Sequence, residues 1–505
     1  MHPIHHHLRR ALPGAGGLAT GMVLAAGLLT GAARADQPAI GGFDVPEPLL
    51  AVARAMEKQA RDGEDLRVEV LAVRDGARAG ERSFDVTIDG ETRAVTLRPF
   101  SVRTDETVAY EVGDDGVMVP VELPPVLTWR GEVADRPGMV AAATLMPDGS
   151  VRALLHEPGT GTWAVEPVVA DIPGLPATVH AVYRADAIRP DGSVCGVTEA
   201  DRVVPADVLD AALLAEERAR LGPGHVEAAE AEVQLGGSDS RTAVLIDADY
   251  EYYELNGFST TATIIDIETL MNAVGLIYQQ QAGICYSVPA FVIRTSINDP
   301  YDETDSVAML NEFREHWDGQ SSPGRDTAHL FTGRDPTDGS VVGRAYLGVI
   351  CSQANGYGFS QAQYTTNFTN RTQLIAHELG HNWNACHCNV SDCTGGGADA
   401  DCGIMNSSIN GSNDFGNRSL NAIEAHRAGR TCLSSCFSPH YVDDGAGFIQ
   451  NGSSIFPWDD WEDGYEFVTV GGVVLMRAGF YPETGTYSKR VTIANDGGGT
   501  ATIGD

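Results

Sequence analysis

The run HELGHNWNACH, residues 377–387, constrains this chain more tightly than any other stretch of it. His377 and His381 are four residues apart, so on a helix both imidazoles project from one face. That spacing suits two ligands of one zinc ion. Upstream, Asn370 followed by Gln373 predicts a helix start of the capping-box kind. A catalytic zinc takes three protein ligands and keeps one position open. His387 is the candidate third ligand, and it lies too far along to share the face of a continuing helix. The helix must therefore stop and the chain turn back at Asn384, a residue type that tolerates left-handed backbone better than most, though less well than Gly. Glu378 adjoins the first ligand. It reads as a general base that takes a proton from an attacking water and later delivers one to a leaving group. The bland alternative is a helix with surface histidines. A purely structural zinc site has no use for Glu378.

A chain of 505 residues predicts two to four domains. Its formal charge of −35 argues against nucleic acid and anionic membrane as partners. Arg9 and Arg10, an apolar stretch from Leu18 to Leu29 and the triplet Ala33-Arg34-Ala35 predict a secretory signal over residues 1–35. No later segment has the length and apolarity of a membrane span, and the expected product is a secreted monomer. Residues 36–205 read as mostly β, with runs such as FDVTIDG and RAVTLRPF punctuated by Asp-Gly and Pro-Gly turns. Residues 206–240 open with a helical stretch, ADVLDAALLAEERARL, and continue as a polar linker of the kind that proteases nick. Residues 241–437 alternate strand-like and helix-like runs, which predicts an α/β domain around the histidine helix. Residues 438–505 return to short β runs with glycine turns, like the first rungs of a parallel β-helix, and end as if more rungs followed.

Of nine cysteines, only Cys195 lies before residue 280. Cys285, Cys351, Cys386, Cys388, Cys393, Cys402, Cys432 and Cys436 can form four disulfides in an oxidising compartment, by pairings that sequence leaves open. Cys195 is left over.

HExxHxxGxxH followed by a methionine turn marks the metzincin metallopeptidases, and this chain resembles them. The matching residues are His377, Glu378, His381, His387 and Met405, with Asn384 where the family usually has Gly. HELGHN and the Cys402–Met405 stretch CGIM are most similar to the adamalysin/reprolysin group. So is DTAHLFTGRDPTDGSVVGRAYLGVIC ahead of the histidine helix. The resemblance implies one catalytic zinc, a hydrophobic floor at Met405, and peptide or protein substrates. It also implies that Val342, Gly343, Arg344, Ala345, Tyr346, Leu347, Gly348 and Val349 form an edge strand that pairs antiparallel with substrate. Cys388 stands where this group usually has an Asp that supports the site from behind. The stretch PDGSVCGVTEAD around Cys195 is similar to the end of reprolysin-type prodomains, and TWRGEVADRPGMVAAATLMPDGSVRALL to their middle. There a thiolate fills the open zinc position and keeps the precursor latent, which implies the same for Cys195 and an activating cut in 206–240. By resemblance, Cys351 ties to Cys432 or Cys436, and Cys386, Cys388, Cys393 and Cys402 staple the loop before Met405. Calcium is a further option at Asp247 and Asp249, although an acidic solvated loop is the simpler reading.

The leading expectation is a secreted zinc endopeptidase made as a latent precursor. Its competitor is an extracellular adhesion or binding protein that keeps a metallopeptidase-like domain and binds through residues after Tyr441. A third, weaker option is a peptidase carrying a carbohydrate-directed module there.

Overall fold

The computed structural model describes residues 66–504 except 78–79, 137, 169–175, 189–191, 204–239, 394–395, 398–401, 437–439, 447–456, 469–472, 486–490 and 497–498. The expected signal segment and the helical start of the linker fall outside the described residues.

The first half supplies β1 (Leu66–Val70), β2 (Arg74–Asp75), β3 (Arg82–Ile88), β4 (Glu91–Pro99), β5 (Arg103–Val112), β6 (Met118–Val121), β7 (Thr128–Val133), β8 (Val140–Leu145), β9 (Val151–Glu157), β10 (Gly161–Pro167), β11 (Val179–Arg184) and β12 (Val194–Cys195). Nine of these make an antiparallel sheet in the order β1-β11-β10-β9-β8-β7-β4-β3-β2. The alternation read in FDVTIDG is realised there. Phe84, Val86 and Ile88 enter a core with Val95, Leu97, Leu155 and Val165, while Asp85 faces out. Asp89 and Gly90 both take positive φ (49° and 81°), as a two-residue hairpin turn requires.

The second half carries β13 (Ser240–Ala248), α1 (Tyr250–Leu255), α2 (Thr260–Ala282), β14 (Ile284–Arg294), α3 (Ser306–Trp317), β15 (Thr327–Phe331), β16 (Val341–Ala345), β17 (Tyr357–Ser360), α4 (Phe368–Asn382), α5 (Asn417–Ala428) and β18 (Ser434–Ser435). Its sheet runs β12-β16-β17-β15-β13-β14-β5-β6, with β18 on β13. β14, β13, β15 and β17 are parallel, and β16 returns antiparallel. Residues of α2 and α4 share one core (Ile264, Leu270, Val274, Ile375, Leu379), and α3 packs on the other side through Phe313 and Trp317. By length and composition α2 is apolar enough to cross a membrane, but it is largely buried in this core. Ser259 caps its start, and Gly283, at φ 61°, ends it.

Three features lie outside the sequence reading or differ from it. First, the sheet of the second half is not built from residues 241–437 alone. β5 pairs in parallel with β14 (Phe291 with Ala109, Val292 with Tyr110), and β6 follows on β5. An open edge at β14 would present unpaired backbone groups, and the N-terminal region covers it. The two halves also lock through polar contacts on α2. Arg130 donates to Asn272 Oδ1 (3.0 Å) and Gln279 Oε1 (2.6 Å), and Arg103 pairs with Glu268. Second, β15 and β17 have no counterpart in the sequence reading. They are short and buried on both faces, so they show no polar alternation. Third, Asp247 and Asp249 lie at the end of β13, fully buried. Asp247 is ion-paired with Arg294 and accepts from Tyr301 and Trp317; Asp249 accepts from Tyr252 N, Gly333 N and Thr332. Their oxygens are already used, and neither belongs to a solvated loop.

Beyond these, β19 (His440–Val442), α6 (Trp461–Phe467), β20 (Val473–Met476), β21 (Gly479–Tyr481), β22 (Thr492–Asn495) and β23 (Ala501–Ile503) surround a small core of Val442, Trp461, Val468, Val474, Met476 and Tyr481. β19, β20 and β22 pair in parallel, as do β21 and β23.

Candidate metal centre and active site

The histidine helix starts earlier than the sequence suggested. Its cap is Asn367, whose side chain accepts from Asn370 N at 2.9 Å. Gln373 does not reach back to the helix start; it holds Asn410 N and Gly411 N, across the cleft floor. Every residue of α4 is buried. The helix ends as expected. Asn384 takes φ 71°, Asn384 N bonds His381 O, and Ala385 N bonds Gly380 O (2.9 Å). The chain then doubles back and brings His387 to the other two rings.

His381 Nε2 lies 2.9 Å, and His387 Nε2 3.1 Å, from His377 Nε2. The opposite nitrogens fix the tautomers. His377 Nδ1 faces Ile404 O and His381 Nδ1 faces Ala385 O, each at 2.7 Å. A carbonyl only accepts, so both Nδ1 atoms carry the proton. His387 Nδ1 meets the Asp392 carboxylate. Burial holds His377 down to about 3, and pushes His381 well below its ordinary range. Neutral rings with protonated Nδ1 present bare lone pairs at Nε2. Lone pairs converging within about hydrogen-bond distance repel unless a cation sits among them. The donor set, three imidazoles on a buried floor, fits zinc.

Cys195 Sγ completes the cluster, 3.4 Å from His381 Nε2. Among the described residues it is the one free cysteine; the pairs are Cys285–Cys436, Cys351–Cys432, Cys386–Cys393 and Cys388–Cys402. Two disulfides therefore bracket His387, and Cys388 is spent in one of them. The carboxylate behind the third histidine comes instead from Asp392, whose place in a disulfide-stapled loop follows no spacing rule. Met405 is fully buried and its sulfur abuts Gly380 of α4.

Glu378 is fully buried, and neither carboxylate oxygen makes a hydrogen bond of ordinary geometry. Burial raises it to about 8, against the opposing pull of the Cys195 thiol and Arg344. It lies beneath Gly343, where any Cβ would overlap Oε1.

The Val342–Val349 run is a strand only over Val341–Ala345, and its outer edge is occupied. Residues 193–202 lie along it in parallel. Val194 N bonds Ser340 O (2.9 Å), and Gly196 N bonds Gly343 O (3.0 Å). On the opposite rim Cys195 N bonds Ser407 O, and Ile409 N bonds Ser193 O, both at 2.9 Å. The segment is thus stitched to both walls of the cleft. Past Ala345 the regular ladder stops, but Leu347 N still bonds Asp201 O, and Gly348 N bonds His381 O.

Residues 238–419 match the family model of the metallo-peptidase family M12, Reprolysin_5. The segment is a reprolysin-like metzincin domain. M12 domains are zinc-dependent metallopeptidases, and the histidine cluster lies within the matched residues. Over 103 residues the chain is 32% identical to human disintegrin and metalloproteinase domain-containing protein 9, which spans 20% of this chain and 12% of that protein. The crystal structure of metalloproteinase-II from Bacteroides fragilis aligns over 74% of this chain and 94% of that one, at 11% identity and a TM-score of 0.35.

Beyond the metzincin motif, sequence reasoning missed Asp392, Gly343 as the roof over Glu378, and a buried pair between Arg344 and Asp201. Arg344 Nη1 donates to Asp201 Oδ2 at 2.8 Å. The one available signal was an Arg inside an otherwise apolar, glycine-bearing strand.

Proposed function

We propose that this protein is a secreted zinc endopeptidase held latent by Cys195, with His377, His381 and His387 as metal ligands and Glu378 as general base and acid. The observation that carries the reading is the convergence of three Nε2 lone pairs with an unpartnered, buried carboxylate one residue from the first of them. Zinc bound there would supply a Lewis acid that acidifies water toward pKa of about 7 and polarises a carbonyl. Glu378 then takes the proton of the attacking water and passes it to the leaving amine, with no covalent acyl-enzyme. The edge strand β16 holds the substrate backbone, antiparallel, in the space that residues 193–202 fill in the precursor. Cys195 blocks the reaction by filling the position that the attacking water needs. Four disulfides suit an exported protein. The parallel pairings after Tyr441 agree with a rudimentary β-helix that serves as an accessory module.

The test uses full-length protein nicked in residues 206–240, supplied with zinc and given a denatured protein substrate. Wild type should cleave it; Glu378→Gln and chelator-treated enzyme should not. Equal cleavage by all three defeats the mechanism. A non-catalytic binder would show no cleavage by any of them.

A further inference from the structure

Arg344 is the cation of the edge strand. Gly343 faces Glu378 and α4, so by the pleat Arg344 faces the other side, toward α3. Its Nε donates to Ser306 Oγ at 3.0 Å, and Nη1 to Asp201. The pair is dry: the two side chains are 9% and 7% exposed. The guanidinium passes directly over Gly196, where a Cβ would come within 2.7 Å of Nη2. Among the described residues Asp201 is the carboxylate that ion-pairs with Arg344; Asp338 reaches it only through the Ser306 hydroxyl. The carboxylate partner thus belongs to the segment that must leave the cleft, whereas Ser306 and the strand stay. Departure of residues 193–202 leaves a positioned guanidinium without its countercharge at the rim of the cleft, which is an unfavourable state until another carboxylate arrives.

We propose that Arg344 selects an acidic side chain in the substrate, on the N-terminal side of the scissile bond, and that Asp201 is its built-in stand-in. The direction follows from the register. The bound segment runs parallel to β16, from Cys195 beside Gly343 to Arg202 beside Leu347. A substrate running antiparallel, with its scissile bond at the histidine cluster near Gly343, sends its preceding residues toward Leu347, where Asp201 lies. The planar guanidinium fork matches a carboxylate and rejects its neutral amide isostere. This specificity rests on the peptidase reading above.

The experiment uses the full chain nicked in residues 206–240 and matched peptides that differ only by Glu or Gln at each of the four positions before the cleaved bond. At one position the Glu peptide should show kcat/KM at least about tenfold higher, the range of a charge-assisted hydrogen bond. Arg344→Gln should erase the preference, Arg344→Lys should keep part of it, and Arg344→Glu should transfer it to Lys. In parallel, fluorescence anisotropy on nicked Glu378→Gln protein should show tighter binding of the same Glu peptide. Equal kcat/KM and equal binding within every pair, or a preference that survives Arg344→Gln, overturns the proposal. If wild type cuts no peptide, the peptidase reading fails by itself, and the binding arm still decides whether Arg344 recognises a carboxylate.

Discussion

Replacing Asp201 by Asn should loosen the plug without altering the cleft. Asp201 Oδ2 accepts from Arg344 Nη1 and from Thr198 N, both at 2.8 Å, and Asp201 O accepts from Leu347 N. The amide oxygen of Asn keeps a neutral acceptor for Thr198, and the backbone bond to Leu347 is untouched. What disappears is the countercharge of a side chain that is 9% exposed. Removing one partner of a buried ion pair costs about 3–5 kcal/mol. The retained acceptor argues for the lower end, about 3 kcal/mol, or on the order of a hundredfold in an equilibrium. That cost falls on the seated segment. Once residues 193–202 have lifted away, Arg344 has lost Asp201 in wild type and variant alike. The reporter is Cys195, which is 7% exposed when seated and can be alkylated only on lifting. The full-length, un-nicked, metal-free protein is treated with a maleimide and Cys195 adducts are quantified by mass spectrometry over time. With lifting fast relative to alkylation, Asp201→Asn should react on the order of a hundredfold faster than wild type. With zinc present, latency of the precursor should weaken in the same variant. A rate within about threefold of wild type, with unchanged melting temperature, would refute the argument that this pair seats the segment.

Other perturbations test neighbouring steps. Cys195→Ala in the un-nicked precursor should relieve latency in a fluorogenic peptide assay, and unchanged latency would remove the thiol from the mechanism. Asp392→Asn should weaken zinc binding by roughly 10–100-fold in competition with a chromophoric chelator, because the carboxylate orients His387 through Nδ1. Gly343→Ala should lower activity by displacing Glu378, since its Cβ overlaps Oε1, while thermal melting of the rest of the chain changes little. Burial raises Asp249 to about 7, well above its ordinary value of 3.8. The folded state therefore binds more protons than the unfolded state between those values, and wild-type stability should fall as pH rises through that window, with slope up to about 1.4 kcal/mol per pH unit. Asp249→Asn removes that contribution, so denaturant midpoints of variant and wild type should diverge in the variant's favour from pH 4 to 7; parallel curves would contradict the burial argument.

What could be read from sequence, and what could not, separates along a physical line. His377 and His381 were legible because helical geometry converts a spacing of four into a shared face. Asn384 was legible because bringing His387, six residues past His381, back to the other two rings demands a reversal, and the reversal appears as φ 71°. The leftover Cys195 was legible by parity of the cysteines. Each of these inferences concerns local geometry or counting. Asp392 and Asp201 follow neither: the first depends on how the Cys386–Cys393 and Cys388–Cys402 staples fold a loop back on His387, the second on where a segment more than 140 residues away in sequence is seated. The same holds for β5, which reads as one more strand of the N-terminal region and is spent instead on the edge of the second sheet beside β14. These long-range placements share a consequence. The N-terminal region joins the sheet of the metallopeptidase domain at both ends, by an extension at β14 and by the segment 193–202 at β16, besides its polar contacts on α2. A cut in residues 206–240 severs neither ladder. Release of the cleft therefore requires residues 193–202 to leave β16, whereas nothing in the chemistry at the histidines requires β5 to leave β14. The expected product of activation is a nicked complex with an open cleft, and size-exclusion chromatography after nicking should elute both fragments together; quantitative separation of the fragments in native buffer would show that the β5–β14 ladder is as readily broken as the plug.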